Sequence, residues 1–256
     1  MFQDECTAAA NGAKNKTALL QNNPLGYFIA SMLAGMYVGF GILLIFSIGG
    51  MLPGAPFAKI IMGICFGIAL SLVIMAGAEL FTGNNMIMIF GLSQKTVTWG
   101  ETLWLWLVCF AGNWLGSALL AIIFCKSGLA VGPIGQFIGS ASATKMNLPI
   151  IDLFLRGILC NTLVCLAVWC SIRLKSDSGK LIMVFWCLFA FITTGFEHSV
   201  ANMTLLSVGL FSSLNEAVSL QGYLYNISIV TLGNMVGGIV FVALPYVLIS
   251  KKNDVA

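Results

Sequence analysis

Long apolar runs separated by short polar or Pro/Gly-rich stretches divide this chain into six segments. They fall at about Leu25–Gly49, Phe57–Glu79 with a short continuation Met86–Leu92, Thr102–Cys125, Leu148–Ile172, Leu181–Ser212 and Tyr223–Ser250. Each long run approaches or exceeds the ~20 residues that carry a helix across a bilayer. Backbone groups in lipid must be satisfied internally, so spans of this kind are helices. The stretches between them are Met51–Pro56, Ser93–Glu101, a longer connection Lys126–Asn147, and the charged loop Arg173–Lys180. Residues 1–24 are polar with interspersed alanines, which predicts an amphipathic helix on the membrane surface ending at Pro24. Gly26, Gly35, Gly39 and Gly41 give the first segment a small-residue pattern suited to close helix packing.

Two of the runs are interrupted. The fifth breaks in Thr193–Met203, TTGFEHSVANM, and the second in Gly77–Met86, GAELFTGNNM, with the break itself expected at Phe81–Asn85. Set side by side, Gly77–Met86 and Gly195–Met203 both begin G-x-E and end N-M, and each lies late in the second long segment of its half. Paired interruptions of this kind point to an inverted repeat with a site at the repeat interface. The expected fold class is therefore an all-α polytopic membrane protein of six transmembrane helices, two of them broken. His198 is the only histidine in the chain, and it follows Glu197 inside an apolar run. An ionisable group at that depth marks a functional site by default. Glu79, Glu197 and Asn202 are read as structural, bonding backbone groups freed at the breaks. Asp152 and Arg156, one turn apart, form a structural pair.

The composition agrees: 59% of residues are hydrophobic and 8% charged, far from soluble usage. The net charge of +3, with no basic cluster, gives no reason to expect a nucleic-acid partner. The eight cysteines form no C-x-x-C, and one histidine completes no usual zinc set. No metal and no cofactor are expected, and the cysteines read as apolar packing residues. An intramembrane enzyme is disfavoured, because H-E-x-x-H is absent and a b-type haem protein needs more histidines. A membrane scaffold without a pore has no use for paired broken helices with buried acids. The N-terminal stretch has no apolar core, so no signal peptide is expected. Lys14, Lys16, Lys95, Arg173, Lys175, Lys180, Lys251 and Lys252 fall on one side of the six spans, against Lys59, Lys126, Lys145 and Arg156 on the other. That bias puts both termini, residues 1–24 and the tail 251–256, on the cytoplasmic side, with 1–256 forming one transmembrane domain.

Three motifs carry a resemblance. IMAGAELFTG (Ile74–Gly83), GILCNTLVCLA (Gly157–Ala167) and GFEHSVANM (Gly195–Met203) are similar to signatures of the formate/nitrite transporter family. NNPLG (Asn22–Gly26) and the run GFEHSVANMTL resemble its nitrite-channel branch. The resemblance implies an aquaporin-like fold, a homopentamer in the inner membrane, and one pore per protomer. It implies constrictions at Phe66, Leu70, Leu80, Phe81 and Phe191, a central site at His198, Thr82 and Asn161, and Lys145 in the external vestibule. The implied activity is transport of a small monovalent anion, nitrite first, with formate or hydrosulfide as alternatives. The partners are the anion, the bilayer and the other protomers. Greasy constrictions oppose a bare anion but admit its neutral acid. His198 could exchange a proton with the anion or only hydrogen-bond to it.

Overall fold

The computed structural model describes residues 1–212 and 215–251, so of the tail only Lys251 is described and the placement of Lys252 lies outside. Among the described residues every regular element is helical. Helices α1 (Gln3–Asn22) and α2 (Pro24–Met51) are followed by α3 (Ala58–Cys65) and α4 (Ile68–Leu72), which run on through a π-helical turn at Val73–Gly77. After a short break come α5 (Phe81–Ser93), α6 (Trp99–Lys126), α7 (Gly132–Met146), α8 (Ile150–Arg173) and α9 (Asp177–Thr194). After a second break come α10 (Ser199–Ser212) and α11 (Leu220–Gly238), which continues through a π-helical turn into α12 (Leu244–Ser250). Pro245, with no N–H to donate, sits just beyond that widened turn. Among the described residues, six helical stretches are long and apolar enough to cross a membrane: 24–51, 58–77, 99–126, 150–173, 177–194 and 220–250.

The helix starts are written locally. Thr98 and Glu101 form a reciprocal capping box at α6. Ser176, Ser219 and Asn23 each accept an N–H from the residue three positions on. At the centre, α5 is buried from Phe81 to Gly91 and α10 from Ser199 to Gly209. A helix covered on all sides belongs to the core. Around them, α2 packs along α6 and α8 along α11. Glycines permit both approaches. A Cβ on Gly116 would strike the Met32 carbonyl, one on Gly35 that of Asn113, one on Gly233 that of Phe154, and one on Gly237 that of Ile158. Gly116→Val is therefore expected to part α2 from α6 at a cost of about 1–3 kcal/mol. A lowered melting temperature in detergent checks this; an unchanged one contradicts so tight a contact.

Three expectations change. The second-segment break lies at Ala78–Leu80, not Phe81–Asn85. Thr82, Gly83, Asn84 and Asn85 are poor helix formers, but burial within the bundle overrides propensity. The connection Lys126–Asn147 contains a helix, α7, opened by Gly132-Pro133 and buried on small residues such as Gly135, Gly139 and Ser142. Finally, α1 does not simply rest on the membrane surface. Its Cys6, Ala9, Ala10, Ala13, Thr17 and Leu20 are buried, and it packs on α5. The small alanine face allows the close approach: a Cβ on Gly91 of α5 would lie 2.6 Å from that of Ala13.

Candidate functional site

Both breaks are built alike, and glycine comes first. Gly77 and Gly195 take φ of +81° and +85°, the left-handed conformation that ends a helix without strain. In each case the next residue donates its N–H five residues back, Ala78 to Val73 and Phe196 to Phe191. The acid then bonds a neighbouring helix through its backbone: Glu79 N–H to the Ala30 carbonyl, Glu197 N–H to that of Arg156.

Two asparagines satisfy further groups freed at the breaks. Asn113 Nδ2 donates to the carbonyls of Glu79 (2.8 Å) and Ser31 (2.7 Å), and its Oδ1 accepts the Phe81 N–H (2.9 Å). Asn234 Nδ2 donates to the carbonyls of Glu197 (2.9 Å) and Gly157 (2.8 Å), and its Oδ1 accepts the Ser199 N–H (2.8 Å). The carboxylates, expected to take this backbone role, point elsewhere. Glu79 pairs with Lys16 at 2.7 Å and accepts from Asn84 Nδ2 at 3.0 Å. Glu197 pairs with Lys145 at 2.6 Å and accepts from Asn202 Nδ2 at 2.7 Å. An amide matches the neutral backbone, whereas a buried carboxylate needs a cation.

Three cavities are lined by residues of the two breaks. One cavity of about 510 Å³ includes Lys16, Leu70, Glu79, Leu80 and Asn84 in its lining. A second, about 270 Å³, includes Lys59, Lys145, Arg156, Phe191, Glu197, His198 and Asn202. A chamber of only about 10 Å³ touches both sets. It is lined by Val38, Phe66, Ala69, Leu70, Leu80, Val164, Leu188, Phe191 and His198. That is room for about one water. Leu70 and Leu80 are shared with the first cavity, Phe191 and His198 with the second. Phe66 and Phe191 meet edge to face, 5.3 Å between centroids.

Among the described residues, His198 is the one polar side chain on the chamber wall. The Ala201 N–H donates to its Nδ1 at 3.1 Å, so the imidazole caps α10. With Nδ1 accepting, a neutral ring carries its proton on Nε2, which lies 3.0 Å from Thr82 Oγ1 and donates to it. A second proton on the ring would have to displace the Ala201 N–H. Thr82 is fully buried behind the imidazole, and Asn161 stands further back, donating from Nδ2 to the Thr82 carbonyl at 3.1 Å. Neither is on the chamber wall. Phe81 is also absent from the chamber wall, its ring edge-on to Phe110 at 5.1 Å.

A family model described as "Formate/nitrite transporter" matches residues 3–248. The chain belongs to the formate/nitrite transporter family. Members of this family are transporters, not enzymes, and this one is a multi-pass membrane protein. It is 40% identical over 258 residues to the nitrite transporter NirC of Salmonella typhimurium, covering 99% of this chain and 94% of the relative. It is 30% identical over 255 residues to the formate channel FocA of Escherichia coli K12, covering 91% and 89%. A solved structure titled "FNT family ion channel" superposes with a TM-score of 0.94 at 40% identity, covering 98% and 100%. One titled "Pentameric formate channel with formate bound" gives 0.78 at 27%, covering 89% and 98%.

In this family member the sequence reading overlooked Asn113, Asn234 and Lys16. A signal existed for the asparagines: both follow glycine mid-span, in AGNWLG and LGNMVG. Lys16 carried none, because its partner is 63 residues away.

Proposed function

We propose that this chain is a nitrite channel, one path per protomer, in which the anion crosses the chamber beside His198 as its neutral acid. The observation that carries this is the chamber itself: one imidazole N–H system in a wall otherwise made of Leu, Val, Ala and Phe. The approximately 40% identity to nitrite transporters favours nitrite over formate or hydrosulfide. A bare anion among these side chains loses hydration without compensation, whereas its acid does not. His198, held neutral by the Ala201 N–H that also sets its tautomer, shares its Nε2–H between Thr82 and the passing acid, with Asn161 holding Thr82. The proton enters with the anion from the cavity on either side. Phe66 and Phe191 close one end of the chamber and Leu70 and Leu80 the other.

The matching contacts at the two breaks support an inverted repeat of the aquaporin-like kind. In that reading the Lys145 cavity opens outward and the Lys16 cavity inward in a bacterial inner membrane, with both termini cytoplasmic. The superposition on a pentameric formate channel supports a homopentamer.

Proteoliposomes loaded in turn with nitrite, formate and hydrosulfide test the substrate. Nitrite is expected to pass fastest, with flux rising as pH falls on the loading side, because more acid is then neutral. Passage of formate or hydrosulfide without nitrite moves the reading to that alternative. Phe191→Ile and Leu80→Val are expected to raise flux severalfold and to blunt discrimination among the three anions. Unchanged flux and selectivity in both contradict their place at the constrictions.

A further inference from the structure

The two cavities are not electrostatically equivalent. Lys16 and Glu79 are the charged residues lining the first, and they neutralise each other at 2.7 Å. The second is lined by three cations, Lys59, Lys145 and Arg156, against one carboxylate, Glu197. Lys145 is the expected source of attraction there, yet its ammonium lies 2.6 Å from Glu197, whose side chain is 3% exposed. That pair presents little net charge to an arriving ion. Arg156 is shared with Asp152 at 3.6 Å, both side chains nearly half exposed. Lys59 has neither an ion-pair partner nor a side-chain hydrogen bond among the described residues.

We propose that Lys59 supplies the charge that draws small monovalent anions into the Lys145-side mouth, while Lys145 holds the helix break. This rests on the channel reading above. Lys59 stands in the first turn of α3, and its Nζ lies beside the break at Gly195. A Cβ added to Gly195 would lie 2.7 Å from that Nζ. Glycine at the end of α9 therefore leaves the space the ammonium occupies. The free carbonyls at a helix C-terminus favour a cation there. They carry a partial charge, so the ammonium's full charge is not cancelled. An uncompensated cation at the rim of a partly enclosed, low-dielectric mouth raises the local anion concentration. Arg156, also in the lining and only loosely paired, adds to the field. The consequence is asymmetry: anions are captured more readily from the Lys145 side than from the Lys16 side.

Local charge is measurable without any transport assay. Thr144 lines the same cavity and is exposed. In Thr144→Cys, the rates of thiol modification by negatively and positively charged methanethiosulfonates give a ratio that reports the potential at the mouth. Rates are corrected with the same chain retaining Thr144. Lys59→Gln is expected to lower the anionic-to-cationic ratio severalfold, Lys59→Arg to keep it, and 1 M salt to shrink the difference. A ratio unchanged by Lys59→Gln overturns the proposal.

Nitrite flux supplies the second arm. Lys59→Gln is expected to raise the half-saturating concentration severalfold from the Lys145 side only, leaving maximal rate and pH profile as in wild type. A half-saturating concentration that stays fixed while the thiol ratio falls overturns the recruiting role. Wild-type protein that carries no nitrite sinks the functional reading instead, and the thiol ratio still decides whether Lys59 attracts anions.

Discussion

Replacing Lys145 by glutamine is expected to destabilise the break that holds His198, and adding Glu197→Gln in the same chain is expected to restore it. The pair is 2.6 Å long and Glu197 is almost fully buried. Removing the cation strands a carboxylate whose other polar contact is the Asn202 amide. Breaking one partner of such a pair costs about 3–5 kcal/mol, whereas removing both charges is often neutral. The single variant should therefore melt several degrees lower and lose flux to the same extent at low and high salt, because the defect is structural. The double variant, two amides that still hydrogen-bond, should recover most of the melting temperature. Asn226 would report the same event, since it bonds both the Lys145 carbonyl and the Asn202 amide. A Lys145→Gln protein that melts like wild type contradicts the anchoring role. A flux loss that appears only at low salt would return the recruiting charge to Lys145.

His198→Phe is expected to abolish nitrite flux, by more than about tenfold, in protein that still assembles, because it strips the chamber of its polar group. The ring of phenylalanine fills the same space but offers no bond to Thr82. It also leaves the Ala201 N–H without its cap, so some loss of stability accompanies the change. His198→Asn keeps both a donor and an acceptor and cannot titrate. With the ring acting as a neutral hydrogen-bonding group, the Asn variant should retain a measurable part of the flux and the wild-type pH profile. A flattened profile in His198→Asn would mean that the ring itself exchanges the proton. Flux and pH dependence at wild-type levels in both variants would make His198 a structural cap alone.

The sequence showed the spans and the two interruptions because both leave local marks. Gly77 and Gly195 are the residues that end helices at positive φ, and an acid two positions later stands out in an apolar run. His198 is legible for the same reason. What it did with its two nitrogens was not, since the Ala201 bond depends on where α10 begins and the Thr82 bond joins residues 116 positions apart. Asn113 and Asn234 were missed because asparagine is uncharged and a single amide in a long helix carries no periodicity. The break in the first half was set too late because Thr82, Gly83, Asn84 and Asn85 look like loop residues until their burial against α6 and α8 is known. The carboxylates were assigned to backbone for want of the lysines that neutralise them. Lys59 read as an ordinary flanking charge until the fold placed its ammonium over Gly195.

The most direct test of the channel is nitrite uptake into proteoliposomes under an imposed inward proton gradient, with a pH-sensitive dye in the lumen. Passage as neutral acid predicts uptake well above that of protein-free vesicles, accelerated by the gradient, with the lumen acidifying in step. Uptake no faster than in protein-free vesicles, or uptake that follows membrane potential and ignores the gradient, would contradict it.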